Sequence, residues 1–338
     1  MRRRTLLAAP LLALTAPALA ACSSDGRPSG GGMPSGAPSD GAPSGGTVGR
    51  WLSGASGSRV ADGEVAAWRG RELDLVGTWA DTPDASVALY ELQPDGPLAG
   101  WTGAMDIAVG ALGPGESWSD AAAGAYDERW AGSLTALAAL RAGAGTTFVR
   151  FAHEANGDWY DWSVDAASAA DFRTAWGRYR GLQQEHMPDA RLVFCPNSQS
   201  VGTGADWRET FPGADAVDLL AVDHYNQYPF VSTPEAFEEE LGAVDGWGAP
   251  RGLARHAEFA AEVGLPFAVP EWSSNSELGD SAVFVEQMHG FFARYGGEGP
   301  GQLVYEVLFN VEEFDDGKFA LHPRTAMPDA AAAYRDLW

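Results

Sequence analysis

Residues 147–159 read Thr-Phe-Val-Arg-Phe-Ala-His-Glu-Ala-Asn-Gly-Asp-Trp. The first few form an apolar, β-branched and aromatic run of the kind that makes a strand. The rest is a chemistry-bearing loop. Glu154 falls just past the strand, next to His153 and close to Asn156, with Trp159, Tyr160 and Trp162 following. Side chains alternate along a strand, so strand structure continued through residue 154 would put Phe148, Arg150, Ala152 and Glu154 on one face. A second carboxylate occupies a matching place far downstream, in Phe267-Ala268-Val269-Pro270-Glu271-Trp272. The same alternation would group Phe267 and Val269 with Glu271, and Leu219, Ala221 and Asp223 with Tyr225.

Outward from these two stretches, short apolar runs recur between helical patterns. Candidate strands are 50–54, 73–79, 104–109, 147–154, 192–197, 219–225, 266–271 and 303–310. Helix-forming stretches at 63–70, 126–143, 169–186, 234–241, 252–263 and 281–295 separate most of them, and 325–337 would close the chain. Eight strands alternating with helices predict an α/β fold, a single (β/α)8 TIM barrel, whose sites lie at the C-terminal ends of the strands. A doubly wound sheet is the alternative, but neither G-x-G-x-x-G nor a P-loop is present.

Two carboxylates at strand ends, an inward arginine that can hold one of them ionised, and flat rings nearby suit cleavage of a glycosidic bond. Here a family can be named. R-F-x-H-E-x-N-G-x-W at 150–159 resembles the acid/base motif of glycoside hydrolase family 26, (β/α)8 enzymes that include many β-mannanases. The resemblance spans residues 49–338. It implies Glu154 as acid/base at the end of the fourth strand and Glu271 as nucleophile at the end of the seventh, ahead of Glu277, Glu286 and Glu306. It also implies substrate-site roles for Arg150, His153 and Trp159, and a Tyr225 hydroxyl that supports the nucleophile.

Asn156, Trp162, Asp223, Trp272 and Phe309 complete the candidate substrate-binding set. For the tryptophans other than Trp159, packing between helices and barrel is the commoner use. Asp223 would serve the site or anchor a loop. The family commonly carries a tryptophan near the end of the eighth strand, where this chain has Leu308-Phe309-Asn310, with Phe309 as the replacement. The implied reaction is retaining hydrolysis of a β-glycan, with β-1,4-mannan first. Another β-glucan, a xylan, a self-made exopolysaccharide, or a non-catalytic glycan-binding barrel are the alternatives. No cofactor or metal is implied. H-E-x-x-H zinc chemistry fails because residue 157 is glycine.

The N-terminus reads differently. Arg2, Arg3 and Arg4 precede a short, proline-broken apolar run, and Leu19-Ala20-Ala21-Cys22 reads as a lipobox. Residues 1–21 are expected to be a lipoprotein signal peptide, compatible with twin-arginine export, and Cys22 the lipidated residue. Residues 22–48 are a linker rich in Gly, Ser and Pro, repeating Pro-Ser-Gly at 28–30, 34–36 and 43–45, and are expected to be disordered. The catalytic domain would fill 49–338, a monomer on the outer face of the membrane, held only by the lipid. The net charge of −24 argues against nucleic acid and anionic lipid and suits a neutral polysaccharide or oligosaccharide. With Cys22 lipidated, Cys195 is the one remaining cysteine and has no disulfide partner.

Overall fold

The computed structural model describes residues 50–338. The expected signal peptide, lipidated Cys22 and linker lie outside the described residues. No helix among them is long and apolar enough to cross a membrane.

Eight strands close into a barrel in chain order. They are β1 (Leu52–Ser56), β2 (Leu75–Ala80), β3 (Ala104–Val109), β4 (Thr147–Phe151), β5 (Arg191–Phe194), β6 (Leu219–Asn226), β7 (Phe267–Ser274) and β8 (Leu303–Leu308). Every pair is parallel, including β1 with β8, so the sheet has no free edge. This is the (β/α)8 barrel that the strand count predicts. All seven expected helices form, among them Asp127–Leu140, Ala169–His186 and Ala282–Tyr295. Two short ones, Pro83–Ala88 and Trp118–Ala122, were not legible, being too brief to show a period. Side-chain caps start several helices: Thr82, Ser117, Thr233 and Ser281 each accept from a backbone N–H three residues on.

Two apolar layers result. Leu75, Phe148, Val193, Cys195, Leu219 and Ala221 belong to a small cluster inside the barrel. A larger one, with Val76, Val149, Phe151, Leu220 and Trp176, lies between barrel and helices. The alternation of these strands is therefore real, and it sends Arg150, Asp223 and Tyr225 inward as expected.

Two expectations about strands need correction. β4 ends at Phe151, so alternation does not carry through to Glu154. Ala152 and Glu154 instead take left-handed backbone angles, φ 51° and 53°. In β7, Ala268 belongs to the inner cluster, while Phe267 and Val269 belong to the outer one. They do not share a face with Glu271. Between Ala268 and Glu271 the strand holds one residue more than the facing stretch of β6, from Ala221 to Asp223. This bulge shifts the parity and turns Glu271 inward. Pro270 sits within it, where a missing N–H does the ladder least harm.

Candidate active site

Arg150 is the floor of the site. It is fully buried, and its guanidinium donates to Asp106 at 2.7 Å, Asp223 at 3.1 Å and Glu271 at 2.8 Å. Tyr305 on β8 donates to the other oxygen of Asp106 at 2.6 Å. A buried cation needs such partners, since an unpaired charge there would be severely destabilising. Asp223 is fully enclosed, so it serves Arg150 and does not face the cleft.

Above this floor stand the two glutamates, in different company. Glu271 accepts from Arg150, from Trp79 Nε1 at 2.7 Å and from the Tyr225 hydroxyl at 2.6 Å. Its two oxygens thus take a guanidinium, an indole and a phenol as donors, one of them charged. Glu154 accepts from Asn197 Nδ2 at 2.6 Å and Trp159 Nε1 at 2.8 Å, with no cation bonded to it. Burial, then the negative charge of Glu271, push its carboxyl up to about 7, against the opposing pull of Asn197, Trp159 and Arg150. Carboxylate oxygens of Glu154, Glu271 and Asp223 come within 4.8 Å of one another. That triad could be read as a cation cradle, but Arg150 already bonds two of its members, and four neutral donors occupy the oxygens of Glu154 and Glu271.

Local sequence explains how Glu154 gets there. Its N–H donates to Cys195 O at 2.7 Å, and the Gly157 N–H closes back on Glu154 O at 2.9 Å. A Cβ at position 157 would collide with the Trp159 indole, so glycine lets that ring fold over the acid. Trp159 remains 37% exposed, a ring face open to solvent beside Glu154. Phe309 lies at the site, edge-on to Trp79 at 5.3 Å and Tyr225 at 5.6 Å between centroids.

Besides Asp223, three candidate contacts are corrected. Asn156 is buried with both ends of its amide engaged: Oδ1 accepts from Asn197 N, and Nδ2 donates to Asn197 O and Ser200. It positions Asn197, which in turn holds Glu154. Trp162 is 1% exposed, donates to His153 O and stacks on Tyr160, so it backs the loop and presents no platform. Trp272 is fully buried and faces outward, one position past the bulge. It donates to Glu306 and packs on Phe292 and Trp338. That contact also keeps Glu306 away from the two glutamates of the site, since its other oxygen accepts from Trp338 in the same outer layer.

Sequence reasoning assigned no role to Trp79, Asn197, Asp106 or Tyr305. Trp79 was legible: it shares an inward face with Leu75 on β2. Asn197 was legible too, two residues past inward Cys195. Asp106 and Tyr305 carry no local motif and acquire meaning only through Arg150. His153 is buried, with Nε2 paired to the Tyr160 hydroxyl at 3.1 Å.

The architecture is a closed (β/α)8 barrel with its polar cluster at the C-terminal ends of the strands, and known proteins share it. The catalytic domain of a Bacillus sp. JAMB-750 GH26 endo-β-1,4-mannanase has a similar structure, with a TM-score of 0.59 and 14% identity over 85% of each chain. A Cellulomonas fimi endo-β-1,4-mannanase double mutant gives 0.56 and 16%, covering 85% of this chain and 71% of the other. GH26C from Muricauda sp. MAR_2010_75 gives 0.58 and 12%, covering 86% and 85%. The fold is thus the one seen in solved family 26 glycoside hydrolases. Among curated proteins, Endoglucanase H of Acetivibrio thermocellus is 23% identical over 200 residues. The match takes in 56% of this chain but only 20% of that much longer protein. No family model matches the chain.

Proposed function

We propose that this protein is a retaining β-glycan hydrolase of the family 26 type, with endo-acting cleavage of β-1,4-mannan as its first activity to test. The observation that carries the reading is the unlike treatment of two facing carboxyls. Glu154 has no bonded cation and a raised pKa, as a general acid needs. Glu271 is held by Arg150, Tyr225 and Trp79, as an ionised nucleophile needs. One oxygen of each lies within 4.8 Å of the other, a closeness that supports the retaining arrangement, in which the carboxyl groups stand roughly 5–5.5 Å apart.

In the first step Glu154 protonates the glycosidic oxygen while Glu271 attacks the anomeric carbon, expelling the leaving sugar. In the second, Glu154 as a carboxylate takes a proton from water, which attacks the same carbon and frees Glu271. Net retention follows from two displacements. Trp159 supplies ring surface beside the bond being cut, while Phe309, 6% exposed, packs behind Trp79 and Tyr225.

A β-glucan is the second reading. The curated relative is called an endoglucanase, and Phe309 stands where mannanases of the family commonly have tryptophan. Digestion of mannan, galactomannan, mixed-linkage glucan, xylan and a bacterial exopolysaccharide separates these. The product released first should carry the substrate's β configuration by NMR. Glu154→Ala and Glu271→Ala should each lose at least about 10³-fold in kcat, on the transition-state scale where tenfold is about 1.4 kcal/mol. Intact protein that binds a glycan yet releases nothing from any of them would turn the reading into that of a binding protein.

The Arg2–Cys22 leader supports export and anchoring of the catalytic domain by a lipid on Cys22. Cys22→Ser should then move the protein from the membrane fraction to the soluble one; unchanged fractionation would remove the anchor.

A further inference from the structure

Trp79 and Asp81 follow one another on the inward side at the end of β2, and only Trp79 has a partner. Oδ1 of Asp81 is buried without a hydrogen-bond partner. Facing it at 3.9 Å is Nδ1 of His153, also buried and unpartnered. That separation is too long for a direct hydrogen bond. Two polar atoms left unmet beside a cleft are costly unless something comes to fill them. The rest of the Asp81 side chain is 31% open, so a ligand can reach it, while His153 is 1% open and can be reached only alongside Asp81.

The gap has the dimensions of one oxygen. An atom about 2.8 Å from each side spans 3.9 Å with an angle near 90°. The chemistry fits a hydroxyl better than an ion. Burial, and then Arg150, hold the His153 imidazole well below its ordinary pKa, so it is neutral and offers either an N–H or a lone pair at Nδ1. Burial, then the charges of Glu271 and Glu154, push Asp81 upward, with Arg150 opposing. A sugar hydroxyl donates and accepts at once and so matches either state of both partners. A chloride or a carboxylate would meet the field of three acidic side chains. Trp79, two residues before Asp81, bonds Glu271, and His153 immediately precedes Glu154, so the sugar concerned is the one at the cleavage point.

We infer that Asp81 is a specificity-determining residue, which with His153 grips one ring hydroxyl of the sugar at the cleavage point. This rests on the glycosidase reading given above. It predicts that the cleft discriminates among sugars differing at that one carbon, since an analogue lacking the hydroxyl leaves two buried groups unmet.

The test uses the full chain and activated aryl β-oligosaccharides of the glycan found by panel digestion, each with one hydroxyl removed from the sugar at the cleavage point. One deoxy substrate should cost the unaltered protein about 10–100-fold in kcat/KM. Asp81→Ala should lose a similar factor on the complete sugar and no more on that deoxy analogue, while still losing the usual factors on the others. Asp81→Asn, which keeps shape and hydrogen bonding, should fall between and stands in if the alanine variant does not fold. The inference is overturned if Asp81→Ala stays within twofold on the complete sugar, or if its loss multiplies that of every deoxy analogue alike, as a structural or water-bridging role would give. If the intact protein cleaves nothing, the glycosidase reading has failed separately. Calorimetric binding of the same deoxy series then decides about Asp81 by the same pattern, and no glycan binding at all refutes it.

Discussion

At the scale of single residues, the site works by giving two identical side chains opposite surroundings. Glu271 meets a guanidinium, a phenol and an indole, whereas Glu154 meets an amide, an indole and the negative charge of Glu271. Folded Glu154 holds its proton up to about 7, against an ordinary 4.5, so the folded state binds more protons than the unfolded chain across that interval. Stability from this group is complete below about 4.5 and declines as pH rises to about 7. Glu154→Gln cannot ionise and escapes the decline. The variant's stability relative to the parent should therefore improve by on the order of 3 kcal/mol between pH 4 and pH 8 in denaturant titrations, since each pKa unit is about 1.4 kcal/mol. A constant difference across that range would rule out the raised pKa. On the proposed role of Glu154 as general acid, kcat/KM should fall about tenfold per pH unit above about 7.

At the scale of elements, both glutamates reach the axis by breaking strand geometry. β7 does it with a bulge containing Pro270, and the end of β4 with left-handed angles at Ala152 and Glu154. A left-handed residue with a side chain is tolerable for alanine and poor for a β-branched one. Ala152→Gly should fold with stability within about 1 kcal/mol of the parent, strain relief offsetting lost burial. Ala152→Val should lose at least about 2 kcal/mol in thermal or denaturant unfolding and a larger share of activity, because a shift there carries Glu154 with it. Equal behaviour of the two variants would mean that the turn is not held by its backbone angles. Trp272 illustrates the same element from the other side. One residue beyond Glu271, it is sealed in the outer layer against Glu306 and Trp338, so adjacent positions do unrelated jobs.

At the scale of the whole molecule, the barrel closes without a covalent brace. The one cysteine among the described residues, Cys195, is free and buried inside it. Burial, then the charge of Asp223, push its thiol well above the ordinary value, so it stays protonated and unreactive. Reductant should leave the melting temperature unchanged, and a thiol reagent should modify residue 195 only through the unfolding transition. Labelling of the native protein at that residue would mean that the barrel interior opens far more readily than its packing implies.

What the sequence determined by itself was periodic or local. Alternating strand and helix patterns specify a (β/α)8 barrel because each strand must bury both faces and each helix one. The run from Arg150 to Trp159 announces its chemistry because acid, indole and the glycine between them are close in the chain. Tyr225 and Asp223 were legible because β6 keeps strict alternation. Tertiary structure decided whatever depends on a departure from regular geometry or on a distant partner. One inserted residue in β7 reversed the facing of Glu271 and sent Trp272 into the core. Asn156, read as a sugar contact, became the strut of Asn197, 41 residues away in the chain. Asp106, Tyr305 and Asp223 form one site with Arg150 only because closing the barrel brings four strands together around a single buried cation.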